Sequence, residues 1–369
     1  MKLNFFKILL LTLFMMPMIL FANEPSVVKN IIVLKEKDRF GGWPANHGIW
    51  HWGNEIVVGF AWGHHDDENE GGHPIKGPTS NRQARSMDGG ETWVIEELSV
   101  VGPDGSTSGD SFDCEGGIDF NHPDFAFKFS PGNARFYYST DRAKTWIGPF
   151  NFPLFGRTEI MARTDYIING KHNMNVFLTS PKDDGVQGWP FCARTVDGGK
   201  TWELVGWIGP QPPLESYGYA IMPSTLRLNS GAFLSIIRRG GFFDGTKRWW
   251  LEAFMSADDG KSWHALKEPY IDNFGNPAHM IRLKDGRITL TYGWRKPSFF
   301  GVRAKISNDD GVTWGEEFVV RGDGDVWDLG YPRTVQRHDG MCVSVYYFKD
   351  KSSKERHIAA TIWNPGLKE

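Results

Sequence analysis

Nine side chains in this sequence have the types needed to bind an acidic molecule and move protons on it. Arginine binds carboxylates through paired N–H groups. The predicted binding residues are Arg163, Arg238, Arg295 and Arg333, together with Tyr292. Histidine, aspartate and tyrosine serve as acids, bases or nucleophiles. The predicted catalytic residues are His47, Asp124, Asp165 and Tyr331. Because these residues are spread over most of the chain, the fold must bring distant segments together.

An eight-residue pattern, Ser/Thr-x-Asp-x-Gly-x-Thr/Ser-Trp, indicates what kind of fold does this. Five copies begin at Ser86, Ser139, Thr195, Ser256 and Ser307, at spacings of 53, 56, 61 and 51 residues. Such spacings indicate an array of similar units. In each copy Asp can bind downstream backbone N–H groups, which is typical of a tight turn between strands. In four copies Gly can supply a positive φ, and the second copy has Ala143 at that position. The Asp residues of the pattern are therefore predicted to be structural.

Strand-like runs before the five turns, and one more run at 356–363, predict six units of four strands. The N-terminal run 30–34 is predicted to complete the last unit, so that both termini close a ring. Short turns such as Asp285-Gly286 and Asp339-Gly340 mark one face of this ring. The candidate site residues precede first strands or follow second strands, and are therefore predicted to meet at the opposite face.

The five copies resemble the Asp-box, or bacterial neuraminidase repeat (BNR), of the sialidase superfamily. The resemblance covers residues 30–363 and implies an all-β, six-bladed β-propeller. It also implies a site with three arginines, a tyrosine nucleophile activated by a glutamate, and an aspartate acid/base. By this resemblance Tyr331, in the segment 331–340, matches the nucleophile, Arg238 matches the second arginine, and Arg295 or Arg303 matches the third.

Two positions differ from the pattern of that superfamily. The segment 41–48 has no arginine where the first of the three is expected, and Met222 stands where the activating glutamate is expected. His47, Asp124 and Asp165 are the predicted replacements, since histidine titrates near neutrality and works alone or with a carboxylate.

The acidic loop 63–70 leaves three interpretations open. Asp66 or Asp67 serves as the acid/base, the loop binds a divalent cation, or its charges are simply solvated. Three cysteines, an odd number without metal-ligand spacing, are interpreted as buried thiols. The sequence thus predicts no cofactor and assigns no metal site.

Residues 1–22 have the features of a secretory signal peptide. Lys2 and Lys7 precede an apolar run over 8–21, and cleavage is predicted after Ala22. We therefore expect a secreted or periplasmic protein in which residues 23–369 form a single domain. We also expect this protein to be a monomer in solution. A net charge of only −3 suggests neither nucleic acid nor an anionic membrane as a partner.

These observations favour a secreted, sialidase-like glycoside hydrolase that acts on terminal acidic or deoxy sugars of glycans. Two alternatives remain open. The chain is a carbohydrate-binding propeller without catalysis, or it is a propeller polysaccharide lyase that uses histidine and tyrosine as base and acid.

Overall fold

The computed structural model describes residues 24–69, 71–107, 109–161, 163–214, 217–243 and 245–366. Within these ranges 25 strands form six sheets, and the α-helix is the single turn α1 (Pro44–His47). The predicted signal peptide, residues 1–22, lies outside the described residues. In the part of the chain that is described, no helix is long and apolar enough to cross a membrane.

Each sheet is one blade of a β-propeller, and β1 (Ser26–Leu34) belongs to the last of them. Blade one contains β2 (Arg39–Gly42), β3 (Ile49–Trp52), β4 (Glu55–His65), β5 (Ile75–Ser86) and β6 (Val94–Glu97). Blade two contains β7 (Val100–Val101), β8 (Ala126–Phe129), β9 (Arg135–Ser139) and β10 (Trp146–Asn151). Blade three contains β11 (Tyr166–Gly170), β12 (Asn173–Pro181), β13 (Gln187–Thr195) and β14 (Glu203–Trp207).

In the remaining three blades all paired strands are antiparallel. Blade four contains β15 (Tyr219–Arg227), β16 (Phe233–Phe243), β17 (Thr246–Ser256) and β18 (His264–Ala265). Blade five contains β19 (Ala278–Arg282), β20 (Ile288–Trp294), β21 (Gly301–Ser307) and β22 (Phe318–Arg321). Blade six contains β23 (Gly330–Gln336), β24 (Cys342–Phe348), β25 (His357–Asn364) and the N-terminal β1.

Both chain ends close the ring, as the sequence predicts. β1 pairs antiparallel with β25, with Asn30 opposite Thr361 and Ile31 opposite Ala360. Around the axis, β19 lies between β15 and β23 and contacts both. The prediction of an all-β, six-bladed propeller closed by N- and C-terminal strands is confirmed.

The eight-residue pattern forms a self-contained hydrogen-bonded turn. In the fourth copy Ser256 Oγ accepts a bond from the Gly260 N–H at 2.9 Å, and Asp258 accepts from the Ser262 N–H at 2.9 Å and its hydroxyl at 2.6 Å. Trp263 Nε1 donates to the Gly260 carbonyl. Hydrogen bonds from Ser262 lower the pKa of Asp258 to about 2. Its carboxylate is thus ionised and occupied by the turn, in agreement with a structural role.

Blade two differs from the sequence prediction in its strand register. β9 runs towards the eight-residue turn that begins at Ser139, and Ala126 of β8 lies opposite Ser139. Because β8 and β9 are antiparallel, β8 begins at the turn face. Asp124 therefore lies at that face, where Arg142 Nε donates to its carboxylate at 2.6 Å. The prediction had placed Asp124 at the opposite face.

Candidate functional site

A pocket of about 440 Å³ lies at the face opposite the eight-residue turns. β11 runs towards the turn of its blade, so residues just before β11 lie at the other face. We call this the Tyr331 pocket, and its polar lining includes His73, Arg163, Gln187, Tyr219, Arg238 and Tyr331. None of the described residues that line it is an aspartate or glutamate. The pocket therefore has an excess of positive charge.

An irregular strand start aims Tyr331 into the pocket. Pairing between β23 and β24 shifts register between Gly330 and Arg333, and Tyr331 adopts a left-handed φ of 51°. Asn276 holds this conformation, since its Oδ1 accepts the Tyr331 N–H at 2.9 Å. A bulge of this kind redirects side chains, and such backbone strain is concentrated at functional sites.

Three guanidinium groups surround the Tyr331 ring. Their central carbons lie 5.9 Å (Arg163), 5.8 Å (Arg238) and 5.5 Å (Arg295) from the ring centroid. Arg238 Nη1 also donates to the Tyr331 hydroxyl at 2.8 Å. Burial raises the pKa of that hydroxyl, but the three cations outweigh burial and lower the pKa below its usual value of 10. The arrangement thus favours the tyrosinate form.

Two of these arginines retain unused donors. Arg163 Nη1 and Arg238 Nε are buried without a hydrogen-bond partner among the described residues. Burial lowers the pKa of Arg163 to about 9, with Arg238 and Arg333 adding to the effect against the opposing influence of Tyr331. Buried unpartnered donors on cations require an explanation, and a bound anion supplies one. The pair can bind a carboxylate beside Tyr331.

His73 brings a proton-transfer group to the same pocket. Its Nδ1 lies 2.6 Å from Asp328, which also accepts from the Tyr347 hydroxyl at 2.6 Å. Arg295 Nη2 donates to that hydroxyl at 2.9 Å. Burial raises the pKa of Asp328, yet His73, Arg295 and Tyr347 hold it below its usual value. Because an ionised carboxylate only accepts, Nδ1 of His73 carries the hydrogen and Nε2 remains for proton transfer.

Asp165 and Arg333 are buried and do not line the Tyr331 pocket. Arg333 Nη2 donates to the carbonyl of Ala45 at 2.7 Å and to that of Thr164, so it joins segments of blades one, three and six. Burial raises the pKa of Asp165 to about 7, although Arg333 and Thr225 favour its ionised form. Both residues therefore support the site by connecting blades.

Asp165 gives stability a specific pH dependence. Its folded pKa of about 7 exceeds the ordinary value of 3.8, so the folded protein loses stability as pH rises from 3.8 to 7. We expect the free energy of unfolding of Asp165→Asn, relative to that of the wild type, to increase by about 2 kcal/mol from pH 5 to pH 7.5. Urea unfolding at the two pH values measures this change.

Asp258→Asn is the matched control for this prediction. The Asp258 pKa of about 2 lies below both pH values, so the effect of this substitution should be equal at each. An Asp165→Asn effect that is also independent of pH would contradict the raised pKa.

His47 lies in an adjacent cavity. It shares one cavity of about 290 Å³ with Arg163 and another with Lys128. Burial, with Lys128 and Arg333, lowers the pKa of His47 to about 3. At neutral pH it is uncharged and has no proton to give as an imidazolium. His47 does not line the Tyr331 pocket, and its predicted catalytic role stays a prediction.

Tyr292 and the acidic loop also differ from their predicted places. Tyr292 is fully buried in blade five, where its hydroxyl donates to Glu317 at 2.6 Å. Asp66 and Asp67 pair with Lys76 and Lys354 at the surface. The chain that follows the loop instead supplies a site residue, His73, which the sequence interpretation missed. The only signal for His73 in the sequence was its position shortly after the acidic loop 63–70, which was itself a candidate for the site.

Comparisons with known proteins agree with the propeller. A protein of unknown function from Dyadobacter fermentans is 21% identical, with 92% of this chain and 99% of that chain covered and a TM-score of 0.69. The α-L-arabinanase of Penicillium chrysogenum, complexed with arabinobiose, is 14% identical over 91% of this chain and 98% of its own, with a TM-score of 0.55. The search of curated proteins gave no match.

The sialidase of Trypanosoma rangeli, in complex with sialic acid, is 12% identical, with 92% of this chain and 59% of that chain covered and a TM-score of 0.50. At these identities the likeness shows the fold alone. The family described as a BNR repeat-like domain matches residues 130–344, which is more than half of the chain. The chain therefore belongs to the BNR repeat-like domain family.

Proposed function

We propose that the protein is a glycoside hydrolase that acts on a terminal acidic sugar of a glycan. The observation that carries this proposal is the placement of Tyr331 among Arg163, Arg238 and Arg295. The same cations can bind a substrate carboxylate and stabilise a tyrosinate. The saccharides named with the similar arabinanase and sialidase structures support a glycan as the substrate.

In the first step the ionised hydroxyl of Tyr331 attacks the anomeric carbon of the sugar. The bond from that carbon to the leaving oxygen breaks, and protonated His73 gives its Nε2 proton to the oxygen. Arg163 and Arg238 hold the sugar carboxylate and offset its negative charge, so that it does not repel the tyrosinate. The product is a glycosyl-tyrosine and a free alcohol.

In the second step water replaces Tyr331 at the anomeric carbon. His73 takes a proton from the water through Nε2, the carbon–Tyr331 bond breaks, and the tyrosinate returns to its three cations. Asp328 holds the histidine in place through Nδ1 at 2.6 Å, so that Nε2 is directed to the reacting oxygen. Met222 stands where an activating glutamate is expected. The three cations take over that role, since they make the hydroxyl of Tyr331 a better nucleophile.

Incubation with a panel of acidic and neutral glycans tests the proposal through two signals. We expect reducing sugar from acidic glycans and no ultraviolet absorbance from unsaturated uronides. Arg163→Met should raise KM for the acidic glycan at least about tenfold, the scale of one hydrogen bond to a charged group. Arg194→Met, which removes an exposed arginine paired with Glu203 in the same blade, is the control and should have no effect.

Two other outcomes would count against this function. Unsaturated products would assign the pocket to a lyase, and binding without products would assign it to a carbohydrate-binding propeller. Export by residues 1–22 into the periplasm or medium, and a monomeric state, remain predictions that accord with a glycan substrate.

A further inference from the structure

Lys128 is a buried lysine with no acidic partner. It lies in β8 with 9% of its surface exposed, and its Nζ is 4.0 Å from the centroid of the Trp146 ring and 5.3 Å from that of Tyr137. Among the described residues it forms no ion pair and no hydrogen bond. Burying an ammonium group without such a partner is costly, and stacking on an aromatic ring offsets only part of the cost.

The amine faces a cavity of about 140 Å³, which we call the Lys128 cavity. Its polar lining includes His47, Asn81, Arg82, Lys128 and Ser130. Arg82 Nε is buried there without a partner, although the far end of the same guanidinium pairs with Glu97 at 2.9 Å. None of the described lining residues is acidic. Two cations and an unpartnered buried donor thus share one enclosed space.

A third cavity lies between the Lys128 cavity and the Tyr331 pocket and shares lining residues with both. The cavity of about 290 Å³ between them shares His47, Asn81 and Pro131 with the Lys128 cavity, and it shares Arg163 with the Tyr331 pocket. The three cavities are therefore neighbours, and His47 lines both of those that Tyr331 does not line. In β4, Gly59 leaves the space that His47 occupies, since a Cβ there would lie 2.7 Å from that of His47.

We propose that the Lys128 cavity binds a second carboxylate, that of the sugar next to the terminal acidic sugar held in the Tyr331 pocket. This proposal rests on the proposed function for the source of the carboxylate. The carboxylate completes the ion pair that Lys128 lacks and accepts from Arg82 Nε, while neutral His47 adds no competing charge. The preferred substrate is then an oligosaccharide with two adjacent acidic sugars.

Acetate titration by calorimetry tests the cavity without any glycan. Burial lowers the pKa of Lys128 to about 7. At pH 7 about half of the amines are therefore neutral, and binding of a carboxylate should take up about half a proton per acetate. The uptake is measured from the binding heat in two buffers of different ionisation enthalpy. Lys128→Met should abolish the proton uptake and leave only the acetate that Arg163 and Arg238 bind, whereas Lys296→Met, at an exposed ion pair with Asp272, should change neither binding nor uptake.

Proton uptake that persists in Lys128→Met, or acetate binding without proton uptake in the wild type, would overturn the site. Lys128→Met preserves the stack on Trp146 with a side chain of similar length, and its thermal unfolding establishes that it is folded. Should it fail to fold, Lys128→Arg replaces it, and this variant should bind acetate without proton uptake because arginine stays charged.

Kinetics distinguish the two sources of the carboxylate. Lys128→Met should raise KM about tenfold for a substrate with two adjacent acidic sugars and leave KM unchanged for one with a single acidic sugar. Loss of the proton uptake on acetate binding with no change in either KM would overturn the sugar subsite and assign the cavity to a free small carboxylate. If no glycan is hydrolysed at all, the proposed function fails, while the acetate titration still decides whether the cavity binds carboxylates.

Discussion

Tyr331→Phe is expected to lower kcat on an acidic glycoside at least about a thousandfold, with KM changed only a few-fold. The substitution removes the one atom that forms the glycosyl bond in the proposed reaction. The ring remains among its three cations, so Arg163 and Arg238 can still bind the substrate carboxylate. Initial rates over a range of substrate concentrations separate the two constants.

Tyr292→Phe is the matched control for this prediction. It removes the same atom from another fully buried tyrosine, whose hydroxyl donates to Glu317 in blade five. Glu317 keeps its ion pair with Arg303 at 2.7 Å, so the variant should fold and retain wild-type rates. If Tyr331→Phe kept even a tenth of wild-type turnover, Tyr331 would not be the nucleophile. The site would then have to be assigned to His73 acting on water.

The fold was predictable because its signals are local. In each turn a Ser or Thr and an Asp at fixed offsets accept hydrogen bonds from N–H groups of the same turn, so the pattern specifies the turn locally. The closing strand was predictable for a similar reason, since the chain begins and ends with strand-like runs. The strand register of blade two was not predictable. No local signal in the sequence shows that β8 pairs with β9, the strand that leads into the turn beginning at Ser139.

The site was only partly predictable because it depends on side-chain direction across blades. Arg163, Arg238 and Tyr331 meet as expected, and Arg295 lies behind Tyr331. Arg333 occupies a neighbouring register position in β23, but it reaches the backbone carbonyls of Ala45 and Thr164 rather than the pocket. A bulge at the start of β23 makes the side chains of Tyr331 and Arg333 point in different directions. Sequence spacing alone does not reveal such a bulge.

The network around Asp328 depends on contacts that no motif marks. Asp328 is fully buried and close in sequence to Tyr331, but its partner His73 is 255 residues away. The sequence pointed to acidic residues of the preceding loop because the superfamily uses an aspartate there. In this chain those aspartates pair with surface lysines, and a histidine enters the pocket instead.

Deletion of residues 356–369 is expected to abolish cooperative folding, because it removes β25 and opens the ring. Seven of the eight residues of β25 are buried, among them Ile358, Ile362 and Trp363. Loss of one such side chain typically costs about 2–5 kcal/mol, so the three together cost about 10 kcal/mol. That loss is comparable to the whole stability of a typical domain, about 5–15 kcal/mol. Urea unfolding followed by tryptophan fluorescence measures the effect.

Two further truncations show whether the buried strand or the mere loss of chain is responsible. Deletion of 367–369 leaves the carbonyls of Pro365 and Gly366 that Arg287 binds, and should unfold like the wild type. Deletion of 24–34 removes β1, in which only Val33 and Leu34 are buried, and should cost clearly less than loss of β25. β1 is an outer strand, whereas β25 lies between β1 and β24. Equal losses from the two deletions would mean that closure by pairing of the termini, rather than burial of β25, holds the ring together.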